Sequence, residues 1–295
     1  RSSDLSGSLT YRSEGEARPT LTGDVESTLL QFRDLGTLIG ADEPGEREAG
    51  EARPPAGRVL PTVPFDVEHW KAMDADVHFT GKRVVRDREL PISDVDTRVR
   101  MQNAVLTLDP LTFGMAGGTV KSSIRIDANA SPPAGKASLE AGGLELKRLF
   151  EKVDGLSDSL GRVGGDVKLA GRGKSLAGIL GSSDGALRLL MTDGRVSETL
   201  MEEAGLNIAN VAISKMKGDQ QIEIDCAAAA FTVKDGVAKS DLFVFDTENA
   251  LIDIDGAIDL GEERVDLTLH PHTKGLRVFS LRSPLHVDGS FEHLD

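Results

Sequence analysis

The run Gly171-Arg172-Gly173-Lys174-Ser175 is where this sequence comes nearest to nucleotide chemistry. A glycine-rich turn between a strand and a helix can wrap phosphates with backbone N–H groups while its lysine reaches the outer phosphates. Asp246, after Leu242-Phe243-Val244-Phe245, sits where an acidic strand end would hold Mg²⁺. The spacing fails. The loop needs a glycine five positions before Gly173, and that position is Lys168. The run reads instead as a turn whose Ser175 caps a short helix.

His270 and His272 flank Pro271, and on a strand both rings would share one face, the beginning of a metal site. A third ligand, His286 or an Asp, is not specified by spacing. Pro271 argues against a regular strand, so the pair reads as polar residues at a strand end. Cys226 is the single cysteine, which leaves no internal disulfide and no Cys-type zinc site. Set before four alanines, Ala227 to Ala230, it reads as a buried structural thiol in a strand that a neighbouring helix or backbone approaches closely. Asp109, Asp225, Asp253, Asp255, Asp259 and Asp266 alternate with apolar residues, the pattern of a solvated strand face rather than of paired hydrolase carboxylates. These residues imply no enzyme, no metal and no cofactor.

The elements that would position such groups are strands. Val120, Ser122, Ile124, Ile126 and Ala128 fall on one side of a period-two pattern, with Lys121, Ser123, Arg125 and Asp127 on the other. Ile222 and Ile224, then Ile252, Ile254, Ile258 and Leu260, then Val265, Leu267 and Leu269 repeat it. Each strand is apolar on one side and wet on the other, as in an antiparallel sheet with one solvated face. Gly117-Gly118, Gly142-Gly143, Gly164-Gly165, Asp184-Gly185, Asp193-Gly194 and Asp235-Gly236 read as hairpin turns. Residues 219–272 read as a four-stranded meander. Short helices are expected at Gln31–Ile39, Leu144–Val153, Ser175–Leu180 and from Glu198 toward Lys217, covering ends or edges of the sheet.

Composition agrees. Gly numbers 32 of 295 residues, aromatics are 4%, and 34 Lys+Arg against 48 Asp+Glu give a net charge of −14. That acidity disfavours nucleic acid, which needs clustered cations. No apolar run reaches the ~18 residues of a membrane span. Residue 1 is Arg, so the chain reads as a piece of a longer protein. Residues 41–57 carry three prolines and mostly acidic charge without apolar periodicity, the pattern of a disordered loop. They separate 1–40, the end of a preceding β unit with a short helix, from the main β domain, 58–295.

About twelve strands at ~4.8 Å spacing give a sheet about 58 Å wide, too wide for a few short helices to cover. The sheet either curls on a core of its own or curves into a trough that a ligand completes. A trough lined by Ile124, Ile126, Ile222, Ile224, Ile252, Ile254, Ile258, Val265, Leu267 and Leu269 suits acyl chains, at ~0.8 kcal/mol per buried CH₂.

Gly57-x-Val59-Leu60-Pro61, Pro64-Phe65-Asp66, Trp70 and Met73-Asp74-Ala75-Asp76-Val77 stand in order. Leu106-x-Leu108-x-Pro110-Leu111, Gly114-x-Ala116-Gly117-Gly118 and Gly173-Lys174-Ser175-Leu176 follow. Then come Asp184-Gly185, Asp225-Cys226-Ala227-Ala228, Asp246-Thr247 and Gly289-x-Phe291. Through these stretches the chain resembles the AsmA family of Gram-negative envelope proteins, in the C-terminal part of the periplasmic region. The resemblance implies a mainly β fold, a long curved antiparallel sheet forming a β-groove or open barrel with a few short capping helices. It implies a periplasmic region tied to the inner membrane by an N-terminal anchor outside this chain. It implies phospholipid acyl chains as the partner, in lipid transport toward the outer membrane. A second expectation is a periplasmic scaffold that engages outer-membrane assembly factors through sheet edges or the Gln31–Ile39 helix and influences protein targeting to the membrane. A metal-dependent hydrolase using His270 and His272 stands third.

Overall fold

The computed structural model describes residues 3–13, 15, 17–31, 58–85, 92–149, 160–197, 221–248, 250–274 and 284–291. The chain opens with β1 (Ser6–Arg12), β2 (Thr20–Ser27) and β3 (Leu30–Gln31). Helix α1 (Val67–Ala72) leads into β4 (Asp74–Val85), β5 (Ile92–Gln102), β6 (Val105–Met115), β7 (Gly118–Asp127) and β8 (Ala134–Glu145). The single turn α2 (Leu146–Leu149) follows, then β9 (Leu160–Arg172), α3 (Leu176–Leu180) and β10 (Asp184–Ser197). The last strands are β11 (Gln221–Lys234), β12 (Val237–Thr247), β13 (Ala250–Asp259), β14 (Arg264–Thr273) and β15 (Leu285–Ser290).

All the described strands join one curved, non-closed sheet of fifteen, more than the sequence pattern counted. From β4 onward each strand pairs antiparallel with the next, and β1 pairs antiparallel with β2. The exception is β4, which receives β2 and then β3 in parallel, Thr20 opposite Asp74 and Leu30 opposite Val84. The meander β11–β14 stands where the alternation placed it.

Three hairpins close with two-residue turns in which both residues have positive φ, the twist that suits a right-handed strand pair. These are Asn103-Ala104, Ala116-Gly117 and Asp235-Gly236. Only the last was legible as written; the expected Gly117-Gly118 turn sits one residue earlier. Gly142-Gly143 and Asp193-Gly194 are corrections. They lie inside β8 and β10 at register shifts, where glycine lets an unpaired residue swing out. Gly164-Gly165 lies inside β9, where a Cβ on Gly165 would sit 2.2 Å from the Arg188 carbonyl oxygen of the neighbouring strand. Asp184-Gly185 opens β10.

β14 runs through Pro271 to Thr273, against expectation. Among the described residues pairing to β15 ends at Leu269–Leu285, short of Pro271, and a strand end is where a missing N–H is tolerated. Ser175 accepts from Gly178 N at 3.1 Å and caps α3 as expected. The helix expected at Leu144–Val153 is the turn α2 in its described part. The helices expected at Gln31–Ile39 and from Glu198 onward, and the 41–57 loop, lie outside the described residues.

Candidate functional site

One cross-strand row defines the inner face. It runs Leu9, Gly23, Val77, Val99, Leu108, Ile124, Ala137, Leu169, Gly185, Val233, Ala238, Ile258, Val265, Gly289, one residue from each strand on the path from β1 to β15. Every member is apolar or glycine. One residue along, the row reads Thr10, Thr22, Asp76, Arg100, Thr107, Arg125, Lys136. The period-two alternation of each strand thus adds up to an apolar inner face across the sheet and a charged outer face on its β1–β8 part. Glycine in that row bends the sheet. At Gly23, with φ near 151°, a Cβ would lie 1.9 Å from the Ser8 carbonyl oxygen; at Gly185, with φ near 153°, it would meet that of Lys168 at the same distance.

The two ends of this trough are covered by protein. At one end α1 and α3 pack down. Trp70, Ile179, Ile126, Ala104 and Ala128 form a buried cluster with Phe65, Met101, Leu106 and Ile124 against it. Phe65 and Trp70 meet with ring centroids 5.4 Å apart and planes tilted by 37°. The strap before α1 is pinned by main-chain bonds, Phe65 N to Lys174 O at 2.8 Å and Ala177 N to Pro61 O at 3.0 Å. Its far anchor is Glu263, 1% exposed, whose carboxylate accepts from Arg58 Nε at 2.9 Å and from the backbone N–H groups of Val59 and Leu60. The Arg58 guanidinium also donates to the Gly261 carbonyl. At the opposite end Met191, Val196, Ile222, Ile224 and Ile252 form a second cluster under Leu146 of α2.

Between the ends Ala229, Phe231, Val233 and Ala238 of β11 and β12 form a third buried cluster, and the rest of the inner face is more open. Val77, Val99, Leu108, Leu139 and Val167 are half-buried, Leu189 is 41% exposed, and Leu9 and Tyr11 on β1 are 54% and 60% exposed. All the residues named from sequence as the lining share this face, but they differ in what covers them. Ile222, Ile224 and Ile252, at 3%, 2% and 1%, and Ile126, at 8%, are already packed by protein. Ile124, Ile254, Ile258, Val265, Leu267 and Leu269 are half-buried. Sequence reading passed over the β10 leucines, the whole β4–β6 contribution and the Arg58–Glu263 anchor. The alternation Val77, Phe79 and Leu106, Leu108 was there to be read; the anchor had no local signal. Thr97 is a polar exception on the floor, 5% exposed and with its hydroxyl unpartnered.

Ion pairs stitch the outer face. Arg98 forks onto Asp76 at 2.6 and 2.8 Å, which holds the Asp76 carboxyl below its ordinary value. His78 on β4 lies between Asp96 of β5, at 2.9 Å, and Asp24 of β2, at 3.5 Å. The hydrogen bond to Asp96 chiefly raises the imidazole pKa. Lys274 pairs with Asp246 at 2.6 Å and Asp225 at 3.1 Å, so the acidic strand end that mimicked a Mg²⁺ ligand is occupied by a lysine. His270 and His272 do share the outer face, reaching diagonally to Asp255 at 3.7 Å and Asp253 at 3.3 Å. His286 meets the Thr268 hydroxyl at 3.1 Å. Among the described residues no group of three such side chains is placed to hold a metal. Cys226 is free and half-buried. The alanines beside it on the inner face, Ala227 and Ala229, oppose Phe245 and Phe243, so small residues stand across from rings, where a close approach of a helix or of backbone was expected.

The family model that matches this chain is that of the AsmA family, over residues 1–243. The AsmA family protein YhjG of Escherichia coli (strain K12) is 44% identical over 300 residues, covering 99% of this chain and 44% of that protein. The chain therefore spans less than half the length of this relative. No solved structure matches. No helix among the described residues is long and apolar enough to cross a membrane.

Proposed function

This chain belongs to the AsmA family, and from that premise we propose that its trough shields the acyl chains of phospholipids in transit through the Gram-negative periplasm while headgroups stay in water. The observation that carries the reading is the unbroken apolar row from Leu9 to Gly289, exposed at Leu9 and half-buried at Val77, Val99, Leu108 and Ile124, with Val233 and Ala238 packed by protein. An apolar surface this long is unfavourable in water and favourable against hydrocarbon, at ~0.8 kcal/mol per buried CH₂. The proposed setting is the periplasmic region of an inner-membrane-anchored protein, its role non-enzymatic, in lipid transport and outer-membrane homeostasis.

The test is native mass spectrometry with lipid extraction on the chain purified from a Gram-negative host without detergent. Co-purifying phospholipid is expected, and it is lost in Leu189→Asp, an exposed position on the inner face where a charge does not disturb packing. A clean lipid-free mass for the unaltered chain would sink the reading.

A second reading, a scaffold for outer-membrane assembly factors, is favoured by one feature. β1 is exposed along its whole length and, among the described strands, pairs only with β2, which leaves its other backbone edge as a template for strand addition. It predicts that Leu9→Pro, which blocks edge pairing, abolishes a specific partner complex and leaves bound lipid untouched.

A further inference from the structure

The outer face breaks its polar pattern at one place. On β10–β12 two adjacent cross-strand rows run Leu190, Ala228, Val244 and Arg188, Ala230, Leu242. Leu190 is 54% exposed and Leu242 49%. Both point away from the trough, since Leu189 and Phe243 beside them face it. The cross-strand neighbour of Leu190 on β9 is Gly164, so that flank is bare. Ala228 and Ala230 lie between the two leucines with one methyl each, which leaves a shallow seat with a leucine wall on either side.

The seat has a size and a charge. Leu190 and Leu242 stand two strands and one pleat repeat apart, about 12 Å. That is close to the ~10.5 Å between positions i and i+7 of an α-helix. Around it Arg188 is paired with Asp166 at 2.9 Å and Lys274 with Asp246 and Asp225, while Arg162, opposite Thr192, and Lys239 share the same face. Farther along the same face Asp266 and Asp288 stand directly opposite each other across β14 and β15, flanked on β13 by Asp255, which His270 approaches at 3.7 Å, and by Asp259, which Arg264 opposes. Like charges in direct cross-strand register disfavour the sheet, and a cation brought from outside relieves them.

We propose that this outer seat docks an amphipathic helix of a partner protein, its apolar stripe on Leu190 and Leu242 and its Lys or Arg side chains toward the β13–β15 carboxylates. The sign of the charge selects the occupant. A second copy would set two acidic faces together in a chain of net charge −14, and an anionic bilayer would be repelled. The seat lies on the opposite face from the trough, so docking and lipid occupancy are independent.

The test uses the full chain and a fluorescein-labelled helical peptide of about 18 residues built from Leu and Lys, beside a Leu/Glu counterpart, read by fluorescence anisotropy. Saturable binding of the Leu/Lys peptide is expected, weakened about tenfold or more in Leu190→Ser/Leu242→Ser. Asp266→Asn/Asp288→Asn should weaken it several-fold and flatten its salt dependence. Leu189→Asp, one residue away but facing the trough, should leave it unchanged while stripping lipid. The proposal is overturned by binding that follows Leu189→Asp instead, which puts the peptide in the trough, or by equal binding of the Leu/Glu peptide. Self-association lost in Leu190→Ser/Leu242→Ser would assign the seat to a second copy, and flotation with anionic vesicles lost in the same variant would assign it to a membrane.

Discussion

At the scale of single residues, three side chains carry consequences that measurement can check. Glu263 is a buried carboxylate whose hydrogen bonds all reach the strap, 203 to 205 positions away in sequence. Removing it leaves Arg58 and two backbone N–H groups without their acceptor. Glu263→Ala should cost about 2–4 kcal/mol by urea denaturation, with Glu263→Gln intermediate because the amide oxygen still accepts. Thr97 is the opposite case. Its buried hydroxyl has no partner among the described residues, so Thr97→Val should raise stability by about 1 kcal/mol by urea denaturation. His78 titrates between strands, facing Asp24 and Glu26 on β2, Asp76 on its own strand, and Asp96 and Arg98 on β5. Its folded pKa lies above the ordinary value of 6.5. The stabilisation is therefore fully present below that unfolded value and fades as pH rises through the folded one. A plot of melting temperature against pH should show His78→Gln falling below the unaltered chain in mild acid and meeting it in alkali.

At the scale of elements, the strap, α1 and α3 act as one plug, because each is too short to hold alone. α1 has a single buried side chain, Trp70, and α3 buries only Ala177 and Ile179. Trp70→Ala should cost about 3–5 kcal/mol and speed hydrogen exchange first at the β5–β7 end of the trough. The Asp235-Gly236 turn closes on the same plug: Gly236 N donates to Ser183 O at 2.8 Å, and a Cβ on Gly236 would sit 2.3 Å from the Gly181 carbonyl. Gly236→Ala should be destabilising by at least about 2 kcal/mol, through the turn conformation and this contact together. The turn was readable as Asp-Gly; that its backbone docks on α3 was not, since nothing local marks a contact across more than fifty residues.

At the scale of the whole molecule, the sheet has an inner surface longer than its own helices can cover. Covered ends and an open middle are what distinguish a trough from a closed core. Leu111→Asp, on the half-buried inner face of β6, is expected to reduce bound phospholipid while preserving the β-type circular dichroism spectrum, whereas Ile252→Asp should unfold the chain, because Ile252 is 1% exposed. The ten positions named from sequence therefore divide into core and lining only once their covers are known.

Sequence by itself determined β7, β11, β13 and β14, their inward and outward faces and the four-stranded meander, because side-chain direction in a strand alternates with period two and is written locally. It also determined membership of the family, through ordered short stretches spread along the chain. Only the tertiary structure decided that β2 and β4 run parallel, that Glu263 anchors the strap, which isoleucines lie under protein, and that an apolar seat opens on the outer face at Leu190 and Leu242. The reason is physical. Apolar burial has no direction of its own, so alternation states which face avoids water but not what covers it, and the covers here arrive from segments up to two hundred residues distant.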